Sequence, residues 1–399
     1  MDPVRNPYAP GAGQRPPELA GRDRELDQFD VVLERIARGR PERSLVLTGL
    51  RGVGKTVLLN ALRSQAIKRL WGTGKIEARP DQSIRRPLSS ALHMAVRELT
   101  PRHRDPDHIE TFLGVLKAFA LRSGGENTKL RDRWHPGIDV PAASGRADTG
   151  DIEVDLVELL VDAAGVARDV GSGIAIFIDE MQDIPAADVS ALCAACHELS
   201  QQALPLVVVG AGLPHLPAVL SASKSYSERL FRYVRIDRLD REAADFALVA
   251  PAEEEGVTYE RTALDALYEA TDGYPYFVQA YGKVTWDHAP TIPITENDVR
   301  VAAPDAAAEL AVGFFGSRYE RATPAEREYL QAMAALSRLT DGTVATAEIA
   351  AHLGRKPSSL SPARDSLIKK GLVYSAERGS IAFTVPHFGI YLREHAPVE

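Results

Sequence analysis

The chain of 399 residues is long enough for about two to three domains. Its composition, 45% hydrophobic and 26% charged residues, is that of an ordinary globular protein. A formal net charge of −8 argues against a protein that coats nucleic acid by charge alone, so any such contact has to be local. The chain has no uninterrupted apolar run of about 18 residues, which predicts that no segment spans a membrane.

The N-terminal segment 1–17 is rich in Pro and Gly and lacks the apolar core of a signal peptide. We expect an extended, partly mobile arm in a cytoplasmic protein. One interpretation of the following stretch, ELAGRDRELDQF at 18–29, is an ordinary capped helix that begins at Asp23.

The stretch GLRGVGKT at 49–56 satisfies the phosphate-loop pattern G-x-x-x-x-G-K-[ST]. An apolar strand is predicted before it at 44–49, and an amphipathic helix after it from Thr56. Backbone N–H groups of such a loop, at a helix N-terminus, bind phosphate oxygens. We predict that Lys55 reaches the phosphates of ATP or ADP and that the Thr56 hydroxyl ligates Mg²⁺. The predicted nucleotide-binding residues of the loop are Gly49, Leu50, Arg51, Gly52, Val53, Gly54, Lys55, Thr56 and Val57.

A second apolar run at 174–178 predicts a buried parallel strand that ends in Asp179 and Glu180. Ligands of open α/β sheets bind at this edge of the strands. Together with the phosphate loop, this placement predicts that Asp179 holds Mg²⁺ and that Glu180 orients or deprotonates the attacking water.

The letters CAACH at 193–197 match a c-type haem attachment site. The surrounding segment has the pattern of an amphipathic helix, in which small cysteines pack well. Two thiols cannot complete a four-ligand zinc site. We therefore expect reduced, structural thiols.

The phosphate loop and the acidic strand end resemble those of the additional-strand P-loop ATPases, specifically the AAA+ and STAND families. In these families a G-R-[ED]-x-E-L stretch packs near the adenine, which implies this role for Gly21 and Arg22; the alternative is an ordinary capped helix. The families also place a polar sensor at the tip of the next strand, predicted here at 204–214. This chain has Gly210-Ala211-Gly212 there, without a polar side chain.

The resemblance also implies two elements further along the chain. The segment 225–240 resembles the part that supplies an arginine finger to a neighbouring subunit, with Arg229 first and Arg232 second; the alternative is a surface arginine. Helical patterns over 238–300 resemble a small lid. Its Gly273-Tyr274-Pro275 resembles the G-x-P element of STAND lids and implies that Pro275 contacts the nucleotide, whereas the alternative is a simple helix boundary.

Between the loop and the acidic strand, two helical patterns are followed by a polar stretch rich in Gly and Pro at 123–151. Its composition predicts a long mobile surface loop, either an element that contacts a partner or a family-variable insertion.

From Thr323 the pattern predicts a helix, then a short helix that Thr346 caps and Gly354 ends. A second amphipathic helix follows, in which Pro362 is tolerated only near the first turn. A hairpin with its turn at Arg378-Gly379 completes the pattern of a winged helix.

Six basic against two acidic residues leave a local charge of +4 between Arg355 and Arg378. This local charge favours contact with duplex DNA, and the alternative is a winged helix that makes protein or inhibitory contacts. The candidate DNA-binding residues are Lys356, Ser358, Ser359, Arg364, Lys369, Lys370 and Arg378.

The predicted fold is an α/β P-loop ASCE domain of AAA+ type, with a helical lid and a winged helix-turn-helix. We place the arm at 1–17, the ATPase core at 18–236, the lid and linker at 237–321 and the winged helix at 322–399. In layout the chain resembles archaeal origin-recognition initiators and related bacterial ATPases. The predicted function is an ATP-hydrolysing regulatory protein that engages DNA and self-associates in the ATP state; the alternative is a STAND-type signalling switch.

Overall fold

The computed structural model describes residues 1–11, 13–14, 16–122, 138–337 and 342–395. A central sheet of five parallel strands has the order β2-β3-β4-β1-β5. Because β4 lies between β1 and β3, the phosphate-loop strand and the acidic strand are separated by one additional strand, as the resemblance implied. The strands are β1 Ser44–Thr48, β2 Gly72–Glu77, β3 Ile174–Asp179, β4 Leu206–Gly212 and β5 Phe231–Arg235.

Helices cover both faces of this sheet. Successive side chains of a strand point to opposite faces, so Phe177 joins a cluster with helices α1 and α2, while Ile176 and Ile178 join a cluster with α3, α5 and α6. The core helices are α1 Asp23–Ala37, α2 Lys55–Lys68, α3 Arg85–Leu99, α4 Pro106–Leu121, α5 Ile152–Asp169, α6 Ala186–Gln201, α7 Leu216–Ser223 and α8 Ser227–Leu230.

Strand β2 is absent from the sequence-based expectations because its sequence, GTGKIE, has no apolar run. Its two glycines have a packing reason. A Cβ atom on Gly72 or Gly74 would lie 2.5 or 2.6 Å from a carbonyl oxygen of α3, at Ala95 or Ala91. The close approach of α3 to the sheet therefore requires glycine where strand propensity would favour a branched residue.

Helix α6 carries Cys193 and Cys196, both free and buried. Burial raises the pKa of the Cys193 thiol to about 11 and that of Cys196 to about 12. These protonated thiols pack in the core, in line with the structural interpretation.

Four helices follow the sheet: α9 Arg241–Glu254, α10 Arg261–Thr271, α11 Pro275–His288 and α12 Glu296–Glu309. The N-terminal residues 1–11 are extended apart from one short turn and are anchored on these helices. The Met1 ammonium group donates to the carbonyl of Ala289 at 2.6 Å, and the buried Tyr8 hydroxyl donates to that of Leu248 at 2.6 Å. The arm is thus extended as expected, but it is tied to the helices that it crosses.

A π-helix, Leu310–Gly316, and the short α13, Ser317–Tyr319, lead to the C-terminal module. We use this name for residues 324–395. The module contains α14 Pro324–Leu336, β6 Val344–Ala345, α15 Thr346–His352, α16 Pro357–Lys369, β7 Val373–Glu377, β8 Ser380–Phe383 and α17 Phe388–His395. Its antiparallel sheet, in the order β6-β8-β7, and its helices are compatible with a winged helix.

Two local expectations for this module are wrong. Thr346 is the first residue of α15 rather than its cap; the cap is Ala345, and the Thr346 hydroxyl donates to the carbonyl of Gly379 at 3.0 Å. Pro362 lies inside α16, beyond its first turn, because the helix already begins with Pro357.

Half of the predicted polar loop, 123–137, lies outside the described residues. The remainder is irregular and lies against α4, where the Lys117 ammonium group donates to the carbonyls of Ile138 and Val140 at 3.0 and 2.8 Å. Among the described helices, none combines the length and apolar character that crossing a membrane requires.

Candidate nucleotide site

The phosphate loop connects β1 to α2, and two of its glycines have left-handed backbone conformations. Gly52 has φ of 87°, and Gly54, the cap of α2, has φ of 90°. Glycine adopts this region without the steric cost that a Cβ atom brings. The loop therefore turns sharply and presents the N-terminus of α2, with its unpaired N–H groups, to the cavity.

Lys55 is buried in the loop, with 9% of the residue exposed. Its ammonium group donates to the carbonyls of Gly49 and Leu50 at 2.9 and 2.7 Å. Burial lowers the pKa of Lys55 to about 8; the charge of Glu180 opposes this shift and that of Arg51 adds to it.

Asp179 is the last residue of β3, and Glu180 follows in a left-handed conformation with φ of 49°. The Glu180 carboxylate lies 3.7 Å from the Arg51 guanidinium and accepts a hydrogen bond from the Gln182 side chain at 2.6 Å. The turn at 180 thus directs the carboxylate towards the phosphate loop.

Gln182 was not predicted, and it occupies the space beside the expected sensor position. Its amide oxygen accepts from the backbone N–H of Leu213 at 3.0 Å, and a Cβ atom on Gly212 would lie 2.6 Å from that oxygen. Gly212, at the tip of β4, therefore makes room for a polar side chain that follows β3.

A cavity of about 390 Å³ lies over the loop. Four predicted residues do not line this cavity: the exposed Gly21 and Arg229, and Gly49 and Leu50. Gly49 instead packs against the carbonyl of Ile236, because a Cβ atom on Gly49 would lie 2.2 Å from that oxygen. The predicted residues that do line the cavity are Arg22, Arg51, Gly52, Val53, Gly54, Lys55, Thr56, Val57, Asp179, Glu180 and Pro275.

Arg22 connects three parts of this wall. Its guanidinium donates to the carbonyls of Asp237 at 2.6 Å and Val53 at 3.3 Å. Burial lowers the pKa of Arg22. The arginine joins the start of α1 to the phosphate loop and to the chain after β5.

The rest of the lining was missed because it comes from distant segments. The arm contributes Pro10 and Gly13, and the helices after the sheet contribute Tyr276 and Gln279. Arg318 follows the π-helix and also reaches the cavity. Burial lowers the pKa of Arg318 to about 10, and the charge of Arg51 adds to this shift.

The C-terminal module touches the loop directly. The backbone N–H of Arg51 donates to the carbonyl of Thr384 at 2.8 Å. A Cβ atom on Gly371 would lie 2.6 Å from the Arg51 guanidinium. His215, just before α7, stacks on Tyr374 of β7 with ring centroids 5.7 Å apart. The module therefore packs on the same edge of the sheet as the cavity.

The candidate DNA-binding residues fall into two groups. Lys356, Ser358, Ser359 and Arg378 are exposed. The other three are paired with carboxylates: Arg364 with Asp365 at 2.8 Å, Lys369 with Asp81 at 3.9 Å, and Lys370 with Glu326 at 2.6 Å. Glu326 is buried, so Lys370 neutralises a buried carboxylate and is not free to meet phosphates.

We expect nucleotide affinity to fall with rising pH around the pKa of Lys55. Below about pH 7 the ammonium group is charged with or without ligand. As the pH rises through about 8, the ligand-free chain loses this proton, whereas bound phosphate favours the charged form. Calorimetry with a non-hydrolysable ATP analogue at pH 7 and pH 9 should therefore show weaker binding and proton uptake at the higher pH.

Lys55→Ala is the matched control. It should weaken binding by about ten- to a hundredfold, because a charge-assisted contact contributes roughly 1.5–3 kcal/mol, and it should remove this part of the pH dependence. Equal affinity of the parent chain at both pH values would contradict a phosphate contact of Lys55.

Comparisons with known proteins agree with this geometry. Residues 18–209 match the AAA ATPase domain family, and residues 312–392 match a domain of unknown function, DUF8462. None of the curated proteins compared with the chain matches it.

Several solved structures are similar along nearly the whole chain. The Walker-type ATPase PABY2304 of Pyrococcus abyssi is 15% identical over 95% of this chain and 97% of its own, with a TM-score of 0.57. Two other structures are less similar. The Holliday junction branch migration motor RuvB of Thermotoga maritima is 17% identical over 97% of this chain and 100% of its own, with a TM-score of 0.46. The Orc1 protein of Aeropyrum pernix, solved in complex with DNA, is 16% identical over 95% of this chain and 94% of its own, with a TM-score of 0.45. The match of residues 18–209 and the similarity to PABY2304 therefore show that the chain has the AAA+ P-loop fold.

Proposed function

We propose that the chain binds ATP with Mg²⁺, hydrolyses it, and uses the bound nucleotide to control how its C-terminal module sits on the phosphate loop. The observation that carries this proposal is the hydrogen bond between the Arg51 N–H and the Thr384 carbonyl. Arg51 thus contacts the module through its backbone N–H, while its side-chain guanidinium lies 3.7 Å from the Glu180 carboxylate.

The chemistry of the cavity fits a nucleotide with its metal ion. Lys55 is a buried cation that lacks an anionic ligand at hydrogen-bond distance among the described residues, so phosphate oxygens would complete its surroundings. Thr56 and Asp179 line the same cavity and offer the oxygen ligands that Mg²⁺ prefers. When bound, Mg²⁺ would neutralise phosphate charge; Thr56 and Asp179 would hold it.

Glu180 is the candidate general base. It lies next to the loop, and Gln182 orients it by donating to one carboxylate oxygen. The Arg51 guanidinium lies 3.7 Å from the other oxygen of the Glu180 carboxylate. A cation at this distance competes with water for the lone pairs of the carboxylate. Displacement of Arg51 towards the phosphates would leave Glu180 able to accept the proton of the attacking water.

Glu180→Gln should keep nucleotide binding and lower ATP hydrolysis by about 10²–10⁴-fold, the usual contribution of a general base. The amide keeps the hydrogen-bonding shape but cannot accept the proton. Single-turnover hydrolysis and calorimetry separate the two effects. Hydrolysis at the parent rate would exclude Glu180 as the base, and lost binding would instead assign it to the binding surface.

Two arginines support coupling between nucleotide and module. Arg51 touches Gly371 and Thr384 of the module, and Arg318 belongs to the segment that leads into it. Burial and, after it, the charge of Arg51 lower the pKa of Arg318, so the two guanidinium groups repel each other across the cavity. An anionic phosphate between them would relieve this repulsion and draw both side chains inward, which would alter the docking of the module.

Gly371→Ala should weaken this docking. The added methyl group would lie 2.6 Å from the Arg51 guanidinium, and Gly371 has φ of 65°. Gly379→Ala is a matched control in the same module, because Gly379 has φ of 83° but no atom within 4 Å of the added methyl group. Stopped-flow release of a fluorescent ADP should be several-fold faster in the first variant only. Equal release from both variants would contradict coupling through Arg51.

Self-association in the ATP state is part of the proposal. Arg229 is exposed at the end of α8, next to β5, and does not line the cavity of its own chain. An arginine so placed could act only on the nucleotide of a neighbouring subunit, in the role of an arginine finger.

Contact with duplex DNA is the second candidate function, and exposed cations of the module favour it. Lys356 precedes α16, Ser358 and Ser359 lie in its first turn, and Arg378 is at the tip of the β7–β8 hairpin. These groups remain accessible while the module rests on the core.

DNA affinity should fall with salt at a log–log slope of about −0.9 per neutralised phosphate. Lys356→Ala with Arg378→Ala should flatten that slope by up to about two units, since each residue would meet one phosphate. Lys370→Ala is the control: it should leave the slope unchanged, because Lys370 is bound to Glu326. A parent chain without salt-sensitive binding to any duplex would rule out this function.

A further inference from the structure

A cluster of two histidines and one carboxylate lies away from the nucleotide cavity. His103 precedes α4, His108 is in its first turn, and Asp169 is the last residue of α5. The ligand atoms of the three side chains lie within 4.8 Å of one another. Residues of separate segments thus bring three metal-binding groups to one point.

The distances within the cluster fit a metal ion. The Asp169 carboxylate oxygen Oδ2 lies 2.8 Å from His108 Nδ1 and 3.5 Å from His103 Nε2. Two ligand atoms that each lie 2.0–2.1 Å from a tetrahedral zinc ion are separated by about 3.4 Å. Only small side-chain adjustments would therefore bring these atoms to one ion.

His103 supplies an independent observation. Its side chain is 2% exposed, and its Nε2 has no hydrogen-bond partner among the described residues. A buried polar atom without a partner costs free energy, roughly 1–3 kcal/mol, unless a ligand satisfies it. This nitrogen faces Asp169 and His108, where an ion would be held.

The local charges also favour a cation. Asp169 ends an 18-residue helix, where the helix dipole is negative and a carboxylate is unfavourable without a nearby cation. Asp105 and Asp107 add negative charge at the start of α4. The nearby Arg102 guanidinium donates to the carbonyl of Leu70 and does not neutralise Asp169 directly.

Helix α5 packs close to the His108 ring: a Cβ atom on Gly165, one turn before Asp169, would be in ordinary van der Waals contact with the ring at 3.9 Å. In the metal-free chain the Asp105 N–H donates to His103 Nδ1 at 3.1 Å. Binding of an ion at Nε2 would move the ring proton to Nδ1 and release this single local hydrogen bond.

We propose that His103, His108 and Asp169 form a binding site for a borderline divalent transition-metal ion, with zinc as the best match. Imidazole ligands select zinc, nickel or copper over Mg²⁺ and Ca²⁺. Three protein ligands leave a fourth position for water. The ion would join the start of α4 to the end of α5 and fix the helical segment between β2 and β3.

The test uses the full metal-free chain with excess Mg²⁺, which would occupy the proposed site at Thr56 and Asp179. Titration with Co²⁺ should give one equivalent with the visible absorption of a four-coordinate ion, and Zn²⁺ should displace it. His108→Ala, at a side chain that is 35% exposed, should weaken affinity at least about tenfold, since loss of even a supporting contact costs 10–100-fold. His103→Ala and Asp169→Asn should do the same.

His288→Ala is the matched control. His288 lies 3.1 Å from Asp305, a pair with only two ligands, and its loss should leave the Co²⁺ spectrum and stoichiometry unchanged. Far-UV circular dichroism of each variant without metal checks the fold. The His108→Ala variant, at a half-buried side chain, keeps the test informative if His103→Ala unfolds. The proposal is overturned if the parent chain binds neither ion, or if the His108→Ala and Asp169→Asn variants bind like the parent.

Discussion

The buried ammonium group of Lys55 is the interaction around which the nucleotide site is arranged. Moving a cation from water into a protein interior is expensive unless hydrogen bonds and opposite charge compensate. Two loop carbonyls and the nearby Glu180 and Asp179 offset part of this cost, yet the pKa of Lys55 still falls to about 8. An anion over the loop would supply what is missing, which is why phosphate is the ligand that this geometry favours.

The strand order explains why several segments lie close to the Lys55 ammonium group. Parallel strands end at one edge of the sheet, so the loop after β1, the carboxylates after β3 and the tip of β4 lie side by side. The arm and the helices after the sheet line the cavity at this edge. The C-terminal module packs beside it, through the hydrogen bond between Arg51 and Thr384. Because Arg51 lies between the module and Glu180, the proposed phosphate binding would reach the module through this residue.

The strength of this coupling follows from the kinds of contact involved. One backbone hydrogen bond, such as that from Arg51 to Thr384, contributes about 0.5–1.5 kcal/mol. The apolar cluster that runs from the sheet into the module, through Phe314 and Phe388, contributes far more to its position. Nucleotide would therefore bias the docking by a few kcal/mol or less, enough to shift a two-state equilibrium while the module stays folded.

The sequence predicted those parts of the site whose chemistry is local. The phosphate loop directly follows β1 and Asp179 is the last residue of β3, so pattern and chemistry coincide there. Gln182, Arg318 and the arm residues have no such signature, because they become neighbours only after the chain folds. Strand β2 was not predicted, because close packing of a helix requires glycine at positions 72 and 74 and overrides strand propensity there.

The basic residues of α16 show a further limit of prediction from sequence. Their total charge is visible in the sequence, but their direction depends on partners such as Glu326 and Asp81. Lys369 and Lys370 turn to carboxylates outside their own helix, whereas Lys356 remains exposed at its start. Docking on the phosphate loop and contact with DNA would thus use different surfaces. The docked position of the module does not cover the surface that would meet the duplex. Nucleotide could then control DNA binding only by moving the whole module.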